Sequence, residues 1–319
     1  MQNYDGRARV ASWSCTHPSE RVHMKRKVDF ATEDGTILSG LLFTDDAGGG
    51  PSRGIVMAHG FSGVKEGLEQ YATVFSEAGY TVLLYDHRTF GESGGGPRYE
   101  VQPFQQVLDW RDAITFLLTQ PEVDSSLGVG VFGSSFAGGL GMVVAATDPR
   151  VDIVVAQIPN VSGVDNGTRL LGAEGVAEVK ARSIVDRTRR LAGEMPDMIP
   201  LFSSDGELCA FPPHSVDEVR NDRASETTWV NTVTLRSLEN YLDFEPAGWV
   251  PLISPKPLLM IVGEGDTCTY PDIQKAVFET AGEPKKLVTH PGGHWATYTT
   301  YFDIAGYAAR DWFLEHTRP

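Results

Sequence analysis

From residue 22 onward, short apolar runs alternate with longer stretches in which apolar residues recur at helical spacing. The runs at 55–58, 80–85, 129–132 and 151–158 are apolar almost throughout, the pattern of strands covered on both faces of a sheet. Between them, residues 63–77, 101–118 and 136–146 carry helical periodicity, the last rich in small residues. This alternation predicts an α/β fold: a mostly parallel sheet flanked by helices on both faces. Residues 28–30 and 37–43, separated by the turn Glu33-Asp34-Gly35, predict an antiparallel hairpin in front of it.

The rhythm stops at Pro159-Asn160. The following stretch is charged and mainly helical in pattern, clearest over 173–191, with loops around Pro196, Pro200, Pro212 and Pro213. Strand-like runs resume at 258–262 and 286–289, and 302–314 reads as a closing helix. The expected organisation is an N-terminal extension (1–21), one α/β core (22–160 and 251–319) and a mainly helical cap (161–250) inserted after the sixth strand. Because the last strands follow the interruption, a separate second domain is the poorer reading.

Charge narrows the ligands. The chain of 319 residues carries 27 Lys and Arg against 42 Asp and Glu, a net charge of -15. Such a surface repels phosphate backbones and anionic lipid, so neither nucleic acid nor a membrane is an expected partner. The basic cluster Arg21, Lys25, Arg26 and Lys27 precedes a strand and reads as a solvated edge. No apolar run has membrane-spanning length, and the opening residues lack the pattern of a secretory signal. Cys15, Cys209 and Cys268 have no metal-like or redox-like spacing and read as reduced thiols, so the expected location is cytoplasmic.

The chemistry centres on Gly133-Ser134-Ser135-Phe136-Ala137-Gly138, between a buried strand and the small-residue helix. A nucleophile on a sharp strand-to-helix turn needs small residues two positions to either side, where larger ones strike the neighbouring strand and helix. Gly133 and Ala137 meet this requirement around Ser135. A register centred on Ser134 would place Phe132 and Phe136 there and fails it.

On these residues the chain resembles the α/β-hydrolase superfamily, from about residue 28 to 314. The nearest likeness is to the dienelactone-hydrolase-like and acetyl-esterase-like group, and to fungal proteins that release or transfer polyketide acyl chains. The resemblance implies a chain order of nucleophile, acid and histidine. Gly263-Glu264-Gly265-Asp266 looks like the acid loop and Gly292-Gly293-His294 like the histidine turn, with Glu264 and His290 as the weaker alternatives. The expected catalytic set is therefore Ser135, Asp266 and His294. A serine hydroxyl needs an adjacent base, and that base a carboxylate to orient it. The resemblance further implies an oxyanion hole from the backbone N–H groups of Phe61 and Phe136, with His59 packed beneath the loop.

The expected function is serine hydrolysis of a carboxylic ester or thioester of a hydrophobic small molecule through an acyl-enzyme. An acyltransferase or polyketide-releasing enzyme would use the same triad; a peptidase, a carbon-carbon bond hydrolase or a non-catalytic binding protein fits less well. No cofactor or metal is implied. Gly128, Gly130 and Gly133 match a dinucleotide fingerprint but lie within a strand and its exit, and Pro291-Gly292-Gly293 forbids the helix that would pair His290 with His294 on zinc. Asp86 and Arg88 read as braces for a loop beside the site, with Thr89 where glycine is usual. A homodimer is left open. Phe202, Phe211, Trp229, Tyr241, Phe244 and Trp249 give the inserted segment an aromatic surface, some of which is expected to roof the site.

Overall fold

The structure, a computed structural model, describes residues 23–45, 50–203, 205–211 and 228–317. The expected extension 1–21, with Cys15 and Arg21, and the loop positions Pro212 and Pro213 lie outside the described residues. Eight strands form the main sheet: β1 (His23–Ala31), β2 (Ile37–Asp45), β3 (Gly54–Ala58), β4 (Thr81–Tyr85), β5 (Val129–Ser134), β6 (Val151–Gln157), β9 (Leu258–Gly263) and β10 (Lys285–His290), in the order β1-β2-β4-β3-β5-β6-β9-β10. Strand β2 runs antiparallel to both β1 and β4, and every other pairing is parallel.

The central strands read as continuous apolar runs because each face has its own core. On β3, Val56 and Ala58 join one layer with Trp110 and Ile114 of α2 (Pro103–Leu118) and Leu140 of α3 (Phe136–Thr147). Ile55 and Met57 join the opposite layer with Tyr71 and Phe75 of α1 (Glu69–Glu77) and Phe313 of α7 (Phe302–Thr317). The helix expected over 63–77 is split: a 3-10 turn at Lys65–Leu68 precedes α1.

The chain leaves β3 toward β4 on one side and later toward β5 on the other. Connections diverge there, and the carboxyl ends of adjacent strands leave an open crevice, the usual place for a ligand in such sheets. Two loops named by the sequence, 59–63 after β3 and 134–138 after β5, meet at this point.

The segment between β6 and β9 holds α4 (Gly163–Leu191), a short antiparallel pair β7 (Met198–Ile199) and β8 (Val233–Thr234), α5 (Leu235–Leu242) and a 3-10 turn at Pro246–Leu252. Helix α4 begins ten residues before the expected start at 173, capped by the Ser162 hydroxyl, which accepts from the Asp165 N–H. The helix breaks at Gly172, whose φ of 69° is open to glycine but strained for other residues. Helix α6 (Pro271–Glu279) joins β9 to β10. No helix among the described residues is long and apolar enough to cross a membrane.

Candidate active site

Ser135 sits at φ 58°, ψ -124°, a conformation that an L-residue holds only when its neighbours force it. Its N–H donates to the Gln157 carbonyl (2.8 Å), while its own carbonyl accepts from Gly138 (2.9 Å) and Asn160 (3.0 Å). The elbow is tight on both sides: a Cβ on Gly133 would lie 2.1 Å from the Ala137 carbonyl oxygen, and one on Gly60 would lie 2.8 Å from the Ser135 Cβ. The Ser135 hydroxyl makes no cap to α3 and instead lies 3.0 Å from His294 Nε2. Ser134, the rival register, is fully buried, with its Oγ accepting from Gln157 Nε2 (2.9 Å) and 2.8 Å from the Tyr298 hydroxyl.

His294 Nδ1 lies 2.7 Å from Asp266 Oδ2, so one imidazole spans the Ser135 hydroxyl and the carboxylate. Asp266 is held hard: Oδ1 accepts from the N–H groups of Cys268 (2.7 Å) and Thr269 (2.9 Å), and the Thr269 hydroxyl donates to Oδ2 (2.8 Å). Glu264 forms a surface ion pair with Lys275 instead (2.6 Å). His290 shapes the turn that carries His294. Its Nδ1 accepts from the Gly292 N–H (3.2 Å), its Nε2 bonds the Thr297 hydroxyl (2.9 Å), and burial holds its pKa below the ordinary value.

Phe136 opens α3, so its N–H lies ahead of the first intrahelical hydrogen bond. The other expected donor, the N–H of Phe61, is oriented through the preceding carbonyl. The Gly60 oxygen accepts from His59 Nδ1 (2.9 Å) and from the Gly63 N–H (3.2 Å), while His59 Nε2 accepts from the His87 N–H (3.0 Å). In a trans peptide the C=O and N–H point opposite ways, so pinning the Gly60 carbonyl turns the Phe61 N–H to the other side. The loop containing Asp86 braces this region. Asp86 accepts from the N–H groups of Lys65 (2.8 Å) and Glu92 (3.0 Å), and Arg88 binds Asp109 and Asp34. Thr89 takes φ 71°, the conformation glycine would supply, and its hydroxyl bridges to the Glu100 carbonyl (2.8 Å) and N–H (3.1 Å).

Ser135 and His294 open onto a cavity of about 350 Å³. Phe61, Val64, Leu68 and Trp295 line it from the core, and Leu201, Phe202 and Phe211 from the inserted segment. The aromatic residues of that segment thus divide. Phe202 and Phe211 face the cavity, Tyr241 and Phe244 pack on Phe136 at 5.7 and 5.4 Å, and Trp249 is 38% exposed.

The structure brings Ser135, His294 and Asp266 into one hydrogen-bonded line, beside the Phe61 and Phe136 backbone. Sequence reasoning missed Thr269, Tyr298 and Glu66. Thr269 had a signal, since Asp-x-x-Thr allows a carboxylate to accept from the backbone two and three residues on. The dinucleotide-like glycines have a structural explanation: a Cβ on Gly128 would strike Asp152, which pairs with Arg53 at 2.8 Å. Among the described residues, Asp266, Cys268 and His294 form a group with ligand atoms within 4.8 Å of one another, but the Asp266 oxygens are committed to His294, Cys268 and Thr269.

Comparison with known proteins places this geometry in context. Residues 49–295 match the protein family described as serine aminopeptidase, S33. A polyketide transferase of Aspergillus fumigatus is 34% identical over 267 residues, 82% of this chain and 87% of that protein. A thiohydrolase of Eupenicillium brefeldianum is 31% identical over 275 residues, 84% of this chain and 86% of its own length. Among solved structures, DcsB in complex with its substrate analogue superposes with a TM-score of 0.82 at 28% identity, covering 93% of this chain and all of that one. The α/β hydrolase GrgF from a Penicillium species gives 0.79 at 27% identity, covering 92% and 99%.

Proposed function

Since the chain belongs to the α/β-hydrolase family described as serine aminopeptidase S33, we propose that it cleaves a carboxylic ester or thioester of a hydrophobic small molecule through an acyl-enzyme on Ser135. The observation that carries this reading is the line from Ser135 Oγ to His294 Nε2 (3.0 Å) and from His294 Nδ1 to Asp266 (2.7 Å), opening onto a cavity that Phe61, Val64, Leu68, Phe202, Phe211 and Trp295 help to line. His294 takes the serine proton as Oγ attacks the acyl carbon. Asp266 fixes the tautomer and stabilises the imidazolium. The Phe61 and Phe136 N–H groups receive the oxyanion, one such donor contributing about 2.7–4 kcal/mol in known cases. His294 then returns the proton to the leaving oxygen or sulfur and activates the water that releases the acid.

Acyl transfer is the second reading, favoured by the polyketide transferase among the relatives. It keeps every step to the acyl-enzyme and replaces water by an acceptor alcohol or amine. Peptide cleavage, suggested by the family's description, shares the same groups. A cytoplasmic setting, with Cys209 and Cys268 as thiols, belongs to the same proposal.

The test is fluorophosphonate labelling followed by turnover of p-nitrophenyl esters, acyl thioesters and an amino-acyl anilide, with and without an acceptor alcohol. Labelling at Ser135 and turnover of esters or thioesters is the expected result. Turnover of the anilide alone would replace it with a peptidase, and normal rates in Ser135→Ala would end it.

A further inference from the structure

Beside the Phe61 loop, a cluster of ionisable side chains reaches the cavity at Glu66. Lys65 is 2% exposed, and its ammonium bonds Asp86 Oδ2 and Glu92 Oε2, each at 2.7 Å. Burial pulls the Lys65 pKa down, but the Asp86 charge and the bonds to Asp86 and Glu92 outweigh it and hold it above its ordinary value. Lys27 takes the other oxygen of Glu92 at 2.8 Å, and hydrogen bonds from Lys27 and Lys65 bring the Glu92 pKa to about 2. Glu66 comes third. Its Oε1 is 3.7 Å from the Lys65 ammonium, too far for a hydrogen bond, and Lys65 is the only cation within ion-pair distance of it among the described residues. Lys27 and Lys65 thus face Asp86, Glu92 and Glu66, and the excess negative charge rests on Glu66.

Glu66 lines the same cavity as Ser135 and His294. Its side chain is 19% exposed, and Oε2 is buried without a hydrogen-bond partner among the described residues. A carboxylate oxygen removed from water calls for a donor. Phe61, Val64 and Leu68 line the cavity with apolar side chains, and Gln70 directs an amide N–H to the Tyr298 carbonyl (2.6 Å). The accessible edge of the carboxylate lies on the Oε1 side, which makes no hydrogen bond among the described residues; a donor brought by the substrate would meet it there, whereas a second carboxylate would meet repulsion at short range.

We propose that Glu66 is a specificity-determining residue that reads a hydrogen-bond donor, a hydroxyl or an ammonium group, on the substrate arm remote from the scissile carbonyl, and turns away arms that end in a carboxylate. The inference rests on the acyl-enzyme reading above.

The test measures kcat/KM for p-nitrophenyl esters of straight chains from hexanoyl to decanoyl, each ending in methyl, hydroxyl, ammonium or carboxylate. Wild type, Glu66→Gln and Glu66→Leu are compared, with fluorophosphonate labelling of Ser135 run alongside. In wild type, at the chain length that reaches Glu66, the hydroxyl-ended ester should exceed the methyl-ended one by about fivefold and the carboxylate-ended ester should trail it by about tenfold. Glu66→Leu should erase the hydroxyl and ammonium advantages. Glu66→Gln should keep the hydroxyl advantage, lose most of the ammonium one and raise the carboxylate-ended ester about tenfold, which separates the two kinds of donor. Ratios that match in all three proteins, or a hydroxyl advantage that survives Glu66→Leu, would overturn the role of Glu66 alone. No labelling of Ser135 and no turnover of any ester would remove the acyl-enzyme reading, and the role of Glu66 with it.

Discussion

On the core wall of the cavity, Ser135, His294 and the Gly60–Phe61 peptide are fixed by strained backbone and directional hydrogen bonds, each group pinned by a named partner. The opposite wall is held differently. Phe202 and Phe211 pair as an isolated bridge with rings stacked at 5.5 Å, and Phe202 exchanges hydrogen bonds with the Asn231 side chain (3.0 and 2.9 Å). The rings then lean edge-on, Phe211 against Phe61 at 5.7 Å and Phe202 against Trp295 at 5.9 Å. Directional bonds tolerate little displacement, whereas apolar contact is non-directional and adapts to the volume it meets. Under the proposed function, the core wall sets the chemistry and the inserted wall is where selectivity can change without disturbing it.

The sharpest way to break that division is to compare one change on each wall. Ser135→Ala should lower kcat by about 10⁴-fold or more, and Asp266→Asn by about 10³ to 10⁴-fold, because groups acting as a unit fail together. A single-turnover assay on a p-nitrophenyl ester reads both. If Phe211→Ala lowered kcat on acetyl esters as far as Asp266→Asn does, the two walls would not be separable.

The core wall was also the more legible one. Buried strands write themselves as apolar runs, and a nucleophile turn imposes local steric rules that Gly133, Ser135 and Ala137 satisfy in sequence. The mostly parallel sheet followed from those local signals, while the meeting of the 59–63 and 134–138 loops was implied by the family resemblance alone. The start of α4 did not. Gly163 and Gly167 argue against a helix, yet a Cβ on Gly163 would lie 1.9 Å from the Tyr241 carbonyl oxygen, so the close approach of α5 selects glycine against helix propensity. Tyr298 and Glu66 left no local trace either, since their importance comes from contacts across the fold. Which aromatic residues face the cavity was equally unreadable, because Phe202, Tyr241 and Phe244 differ in neighbours and not in type.

A smaller effect is expected one step behind the triad. Thr269 donates to Asp266 Oδ2 at 2.8 Å and lies 3.3 Å from His294 Nδ1, so Thr269→Val removes a hydroxyl while keeping the shape. The loss of one hydrogen bond to a charged group, about 1.5 kcal/mol, corresponds to roughly tenfold in kcat with KM little changed. Thr269→Ser should recover most of it. An equal fall in kcat and rise in KM would point to collapse of the loop instead.

On the inserted wall, Phe211→Ala should act on chain length. Removing the ring enlarges the cavity and takes away apolar contact, so the advantage of octanoyl over acetyl esters should fall by about five- to tenfold in kcat/KM, at roughly 1 kcal/mol for each fitted methylene left without a partner. The acetyl ester should change least. Uniform loss across the series would mean that Phe211 positions the core wall and does not merely bound the pocket.

The last difference between the walls is their response to acid, and it concerns stability. The core wall stands on buried histidines, and the described part of the inserted segment contains none. His87 is the most exposed to this argument. Its ring is buried among His59, Tyr85 and Trp110, at 4.8, 5.5 and 6.2 Å, and neither ring nitrogen has a hydrogen-bond partner among the described residues. Burial first, and then repulsion from His59, push its pKa well below 6.5. In the unfolded chain His87 takes up a proton as pH falls through about 6.5, while in the folded chain it stays neutral. The unfolded state then binds more protons, so stability is full above that pH and drops below it, by up to about 1.4 kcal/mol per pH unit from this residue. For a chain of this size that is about 2–3 °C in Tm per unit. His87→Phe keeps the ring contacts and removes both unpaired nitrogens, so its Tm should equal or exceed wild type at pH 7.5 and should fall less steeply between pH 6.5 and 5. Thermal unfolding followed by circular dichroism across that range makes the comparison. Parallel slopes for the two proteins would mean that His87 is not what makes the core wall acid-sensitive.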